Sequence, residues 1–79
     1  MKKEEIENRI VEIIQNIIMA DTVMPRHEFV KDLGMDSLDL ADAIMKIESA
    51  FCIVIPDNDV ENISKVEQLV NYVYEQKEN

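Results

Sequence analysis

The 79-residue chain carries 17 acidic and 8 basic side chains, a formal charge of −9, and is 47% hydrophobic. It is too apolar for a disordered acidic tail, and folding as one domain over residues 1–79 it would bury roughly 63% of its extended surface, enough for one modest core but not for a two-lobed catalytic cavity. Nothing in it would neutralise phosphates, which argues against nucleic acid and anionic membrane surfaces and for basic protein partners.

The first expected element is a helix. Ile6, Ile10, Ile13, Ile14 and Ile17 recur at the spacing of one helical face, with Val11 and Ile18 widening it. Glu4, Glu5 and Glu7 stand at its start, where the helix dipole favours acids. Residues 19–35 show no sustained period and contain the turn chemistry of Asp21, Thr22 and Pro25. A connection this long tends to be functional or to bridge distant helix ends. Phe29, Val30 and Leu33 are its expected anchors to the core.

A second helix is expected from Asp36 or Ser37. Gly34 breaks the chain, Asp36 can cap, and Asp39 stands three residues on, as in a capping box. Leu40, Ala43, Ile44, Ile47 and Phe51 fall within roughly 100° of arc and form the expected core face. Leu38, Ala41 and Met45 form a second apolar strip about 130° away, flanked by Asp39, Asp42 and Glu48. A helix with two strips packs on two sides or offers one strip to a partner.

Pro56 ends the run Cys52-Ile53-Val54-Ile55, which has no second strand to pair with and reads as a buried connector. Asp57 is placed to cap a short helical turn containing Val60. Ser64-Lys65-Val66-Glu67 has the spacing of a capping box for the last helix, whose buried face is Val66, Leu69, Val70 and Val73. With one Gly and two Pro in the chain, the expected fold class is all-α: a four-helix bundle of three long helices and one short third helix, with a long loop between helices one and two.

The lone Cys52 and lone His27 exclude a disulfide framework and a structural zinc site. Cys52 reads as a small buried hydrophobe and His27 as a solvated loop residue. Asp57, Asp59 and Glu61 alternate like the start of a calcium loop. Asn62 stands where that loop needs Gly, and Gln68 where it needs Glu, so no metal site is expected. No apolar run approaches roughly 18 residues, and Met1-Lys2-Lys3-Glu4-Glu5 does not read as a signal peptide. The expectation is a cytoplasmic monomer without membrane insertion. Self-repulsion among the acids predicts that added salt or divalent cations raises the melting temperature. A melting temperature that falls as salt is added would contradict this.

Ser37 is the residue with candidate chemistry. As a nucleophile it would need a base in reach and a third, orienting group, and its flanks do not match G-x-S-x-G. Two readings stay open on the residues alone. Ser37 is an ordinary capping hydroxyl, or it is a modification site, since a helix N-terminus favours a phosphate ester.

The segment Asp32-Leu33-Gly34-x-Asp36-Ser37-Leu38-Asp39 resembles the 4′-phosphopantetheine attachment motif of bacterial acyl carrier proteins. Phe29-Val30-Lys31-Asp32-Leu33 is similar to that family's pre-motif loop. Met45, Ile47, Glu48 and Phe51 resemble its second helix. Ile53, Ile55-Pro56-Asp57 and Ile63-Ser64-Lys65-Val66 resemble the segments around its third. The likeness covers nearly the whole chain.

The resemblance implies a carrier and not an enzyme. A phosphopantetheinyl transferase would move the 4′-phosphopantetheine arm from coenzyme A onto Ser37, with Asp36 part of the recognition motif. The arm's thiol would carry acyl groups as thioesters to the enzymes of fatty acid synthesis or a related pathway. By the same likeness Leu38, Ala41 and Met45 meet partner enzymes, and Asp39, Asp42 and Glu48 meet their Arg and Lys residues in basic docking patches. An aminoacyl or peptidyl carrier of the same fold, and an unmodified helical interaction domain, remain as alternatives. The chain departs from the resemblance at Lys46, at Ser49-Ala50 where acids are usual, and at Cys52 and Val54, so its partner face is less acidic than the family's.

Overall fold

The computed structural model describes residues 1–78. Four helices follow one another: α1 Lys3–Ile18, α2 Ser37–Phe51, α3 Asp57–Val60 and α4 Val66–Glu78. This is the all-α architecture expected, with the third helix a single turn. No helix among the described residues is long and apolar enough to cross a membrane.

α1 packs against both α2 and α4. Its first turn is closed by Glu5, whose Oε1 accepts from the Lys2 N–H at 3.0 Å. Ile6, Ile10, Ile13 and Ile14 are buried, and they meet Ala43, Ile47 and Phe51 of α2 and Val66, Leu69, Val70 and Val73 of α4 in one core. The expected faces of α1 and α4 are therefore the observed ones. α2 differs in part: Leu40 and Ile44 are only half-buried, because the single turn of α3 is too short to cover them.

The long connection is folded onto the start of α4. Phe29 N–H donates to Ser64 O, Val66 N–H to His27 O and Glu67 N–H to Pro25 O, and Glu28 and Lys65 form an isolated antiparallel bridge. Phe29 is buried as expected, together with Val23 and Met35. Val30 is not: it is 63% exposed. Residues 28–34 coil with helix-like bonds from Asp32 N–H to Glu28 O and from Gly34 N–H to Val30 O. About 100° of rotation per residue then turns Val30 outward when Phe29 faces the core. Gly34 closes the coil at φ +67°, a left-handed conformation suited to glycine.

The bridge also explains the start of α4. Pairing with the connection holds Ser64 and Lys65 extended, so the helix begins at Val66 and the expected Ser64–Glu67 box does not form. Gln68 replaces it, its Oε1 accepting from Ser64 N–H at 2.7 Å, Lys65 N–H at 3.0 Å and Ser64 Oγ at 3.1 Å. In the same way Pro56, and not Asp57, is the N-cap of α3. Cys52 is exposed rather than buried. It is the C-cap of α2 in a left-handed conformation (φ 57°), which swings its side chain off the helix end. Within the connector that follows, Ile55 is buried, Ile53 is half-buried and Val54 is exposed.

α3 is tethered by Tyr72, whose hydroxyl donates to Asp59 Oδ2 at 2.7 Å. That bond, with burial and the Asp59 charge behind it, raises the Tyr72 pKa above its ordinary value, because all three disfavour the phenolate.

Candidate functional site

Ser37 is the first residue of α2, and it does not cap the helix. Asp36 does: its Oδ1 accepts from Asp39 N–H at 2.8 Å. Asp39 Oδ2 reaches back to Asp36 N–H at 3.4 Å, closing the expected capping box. The Ser37 hydroxyl therefore has no structural duty among the described residues, and its side chain is exposed. Asp39 N–H goes to the Asp36 side chain and Leu40 N–H to Asp36 O, so the N–H groups of Ser37 and Leu38 remain open at the positive end of the helix dipole. A phosphate ester on Ser37 Oγ fits that end. The geometry offers no support for nucleophilic catalysis: no hydrogen bond joins the Ser37 hydroxyl to a base among the described residues, and His27, the one imidazole, accepts from the Met24 N–H through Nδ1 at 3.0 Å.

Beside Ser37 a cleft of about 390 Å³ runs between α2 and α3. Leu40, Ala41, Ile44 and Met45 line one wall, Ile55 and Val60 the other, with Ser37, Glu48 and Asp57 at the rim. Its size lies within the range of small-molecule sites, about 300–1,000 Å³. An apolar cleft that starts at a free hydroxyl suits an apolar chain hanging from a linker on that hydroxyl. Leu40 and Ile44 read from the sequence as core. Ile44 stands at one edge of the core arc but Leu40 near its centre, so periodicity alone does not mark the pair as cleft lining.

The expected partner strip lies on the outside of α2. Leu38 is 79% exposed and Met45 65%, and Ala41 is exposed between them. Of the residues singled out from the sequence, Ser37, Ala41, Met45 and Glu48 meet at the cleft, while Asp36, Leu38, Asp39 and Asp42 do not line it.

The flanking acids all have partners within the chain. Asp36 and Asp39 cap. Asp42 Oδ2 pairs with Lys46 Nζ at 3.0 Å, both exposed, a pair that contributes little to stability. Glu48 Oε2 accepts from Ile55 N–H at 2.7 Å across the start of the connector. That bond could not be read from the sequence, since no local rule links residues seven apart. Glu48→Ala is expected to lower stability by about 1–2 kcal/mol, the typical cost of a lost charge-assisted bond. Amide exchange should speed up at Ile55 before it does in α1, and unchanged protection at Ile55 would contradict this.

A family model described as "Phosphopantetheine attachment site" matches residues 8–73. The chain is 44% identical to an acyl carrier protein of Rubrobacter xylanophilus, over 95% of each chain. It is 37% identical to one of Chlorobium phaeobacteroides, over 92% of this chain and 96% of the other. Among solved structures, it is similar to a candidate acyl carrier protein from Mycobacterium tuberculosis, with a TM-score of 0.84 and 34% identity over 87% of this chain and 95% of that one. A second candidate acyl carrier protein, from Anaplasma phagocytophilum, gives a TM-score of 0.88 at 26% identity, over 96% of this chain and 92% of that one. With a matching length, a matching helical fold and a cleft beside a free serine, the chain belongs to the acyl carrier protein family, whose members are carriers bearing a covalent 4′-phosphopantetheine and not enzymes.

Proposed function

We propose that Ser37 is the residue that bears the 4′-phosphopantetheine, and that residues 1–79 work as a single carrier domain. A phosphopantetheinyl transferase forms the phosphodiester at Ser37 Oγ, taking the arm from coenzyme A and leaving the nucleotide part as product. The arm's thiol then holds acyl groups as thioesters for the enzymes of fatty acid synthesis or a related pathway. The setting is the cytoplasm, and the carrier acts as a monomer. One observation carries the reading: Ser37 is exposed at the first turn of α2 while Asp36 does the capping, so its hydroxyl is free beside an apolar cleft.

Asp36 fixes the turn that presents the serine. Leu38, Ala41 and Met45 form the apolar contact for partner enzymes. Asp39, Asp42 and Glu48 add the negative field that draws their basic docking patches. When loaded, the cleft shelters the first part of an attached acyl chain from water, through Leu40, Ile44, Ile55 and Val60.

The test is an intact mass after incubation with coenzyme A and a phosphopantetheinyl transferase, followed by fragmentation. One phosphopantetheine should appear, on the peptide that contains Ser37. An unchanged mass, or the group on another residue, would overturn the assignment.

A further inference from the structure

The segment between α2 and α4 is pinned at both ends and sparsely held between them. At one end Ile55 is buried and its N–H is held by Glu48. At the other, Ser64 O accepts from Phe29 N–H, and Gln68 holds the Ser64 N–H. Among the described residues a single hydrogen bond, and no ion pair, ties residues 56–62 to a long helix: the Tyr72 hydroxyl on Asp59 Oδ2 at 2.7 Å. The close helix packing of the fold, α1 on α2 and α1 on α4, does not include α3. Tyr72 stands on a fixed post, since α4 buries Leu69, Val70 and Val73 in the core. Tyr72 and Asp59 are both half-buried, so water competes less for a bond whose acceptor is charged. Asp59 adjoins Val60, which with Ile55 forms the cleft wall facing α2. Tyr72 itself does not line the cleft.

We propose that Tyr72 is a positioning residue for the cargo: its hydroxyl, through Asp59, keeps Val60 against the cleft and so sets how long an attached acyl chain stays sheltered. The inference rests on the carrier reading above, with the chain in the cleft, and adds the residue that governs retention. One turn of helix does not hold itself in place by its own backbone bonds. Closed and open positions of α3 therefore differ mainly by the Tyr72–Asp59 bond and the burial of Val60. Loss of the hydroxyl enlarges the open population and leaves the core alone. Because Tyr72 holds the wall from outside the cleft, retention is tuned without taking up any of the space open to the chain.

The test uses the full chain loaded on Ser37 with an octanoyl or an acetyl thioester. Cleavage of each by hydroxylamine is compared with that of the same thioester on free coenzyme A, which gives a protection factor. The acetyl group is the reference, being too short to extend along the cleft. In the wild type the octanoyl thioester should be protected about 5-fold or more beyond the acetyl, as for a ligand largely enclosed in its pocket. Tyr72→Phe, which keeps the ring, should lower octanoyl protection about 3-fold or more and leave acetyl unchanged, the effect of one lost hydrogen bond. Asp59→Ala should do the same, and the double variant should lose no more than either single one. Asp59→Asn, whose amide oxygen still accepts, should stay within about 2-fold of wild type. In the unloaded Tyr72→Phe chain, amide exchange at Val60 and Glu61 should speed up about 5-fold or more, with Ile10 and Ile14 unchanged. Unchanged octanoyl protection in Tyr72→Phe, or an Asp59→Asn chain as unprotected as Asp59→Ala, overturns the proposal. So does exchange that speeds up equally in α1, which would make Tyr72 a general prop of the fold. A wild type that fails to load overturns the carrier reading, and one that loads but protects both thioesters equally overturns sheltering in the cleft. Exchange at α3, read without cargo, tells either of these from a failed tether.

Discussion

Ser37→Ala should take up no phosphopantetheine and carry no acyl group, yet fold as the wild type does. On the proposed assignment the bond to the prosthetic arm is made at Ser37 Oγ and no neighbour can replace it, so the loss is complete. Asp36 and Asp39 flank it, and each already serves the cap. The fold is spared for the same reason. The hydroxyl holds no bond among the described residues, and alanine is a better helix former than serine, so stability should change by no more than about 0.5 kcal/mol. Intact mass and a thermal melt on one sample check both halves. A variant that still gains mass would place the arm elsewhere. A variant that melts far below the wild type would mean that the serine has a structural role which the capping geometry denies.

The second large effect separates two residues on one helix. Ile47→Ala should cost about 2–5 kcal/mol, the range for truncating a fully buried aliphatic side chain, and Met45→Ala about 0.5 kcal/mol or less. Ile47 is completely buried, whereas Met45 is 65% exposed. Two residues turn an α-helix through about 200°, so the one faces α1 when the other faces outward. In a domain of this size about 1 kcal/mol moves the melting temperature by about 4–8 °C, so the two variants should be easily told apart. Met45→Ala should instead slow acyl transfer to partner enzymes. If it melts as low as Ile47→Ala, the outer strip of α2 is core and the docking reading fails with it.

Periodicity carried most of the fold. The isoleucine face of α1 and the Val66, Leu69, Val70 and Val73 face of α4 were legible because a buried helical face is a local property, repeated every three to four residues. The Asp36–Asp39 box was legible because a cap is set by residues three apart, but whether Ser37 itself capped stayed open in the residues, and the structure gives that role to Asp36. The misread places all depend on something non-local. Ser64 and Glu67 have capping spacing, but pairing with Glu28 keeps Ser64 and Lys65 out of the helix. Val30 is apolar like Phe29 beside it, yet it is turned out by the coil that buries Phe29. Cys52 is exposed because the chain leaves α2 through a left-handed residue. The cleft was not legible either. Leu40 and Ile44 are apolar enough for core, and only the brevity of α3 leaves them half-covered. The internal partner of Glu48 lies beyond a helix end and a turn, where no pattern in the residues points.

The one-turn third helix has a mechanical consequence. Four residues cannot hold a helix by their own hydrogen bonds, since nucleation alone outweighs so short a run. The outer wall of the cleft is therefore only as stiff as what ties it down: the Glu48 carboxylate on Ile55 N–H, the Tyr72 hydroxyl on Asp59, and the burial of Ile55. The opposite wall belongs to α2, which is fixed by the isoleucines of α1 and, at its far end, by Lys77 Nζ on Phe51 O at 3.1 Å. The container has a rigid back and a yielding front. Displacing that single turn would change the volume of the cleft while the three long helices stay in register, so an acyl chain sheltered there as proposed would meet one wall that gives.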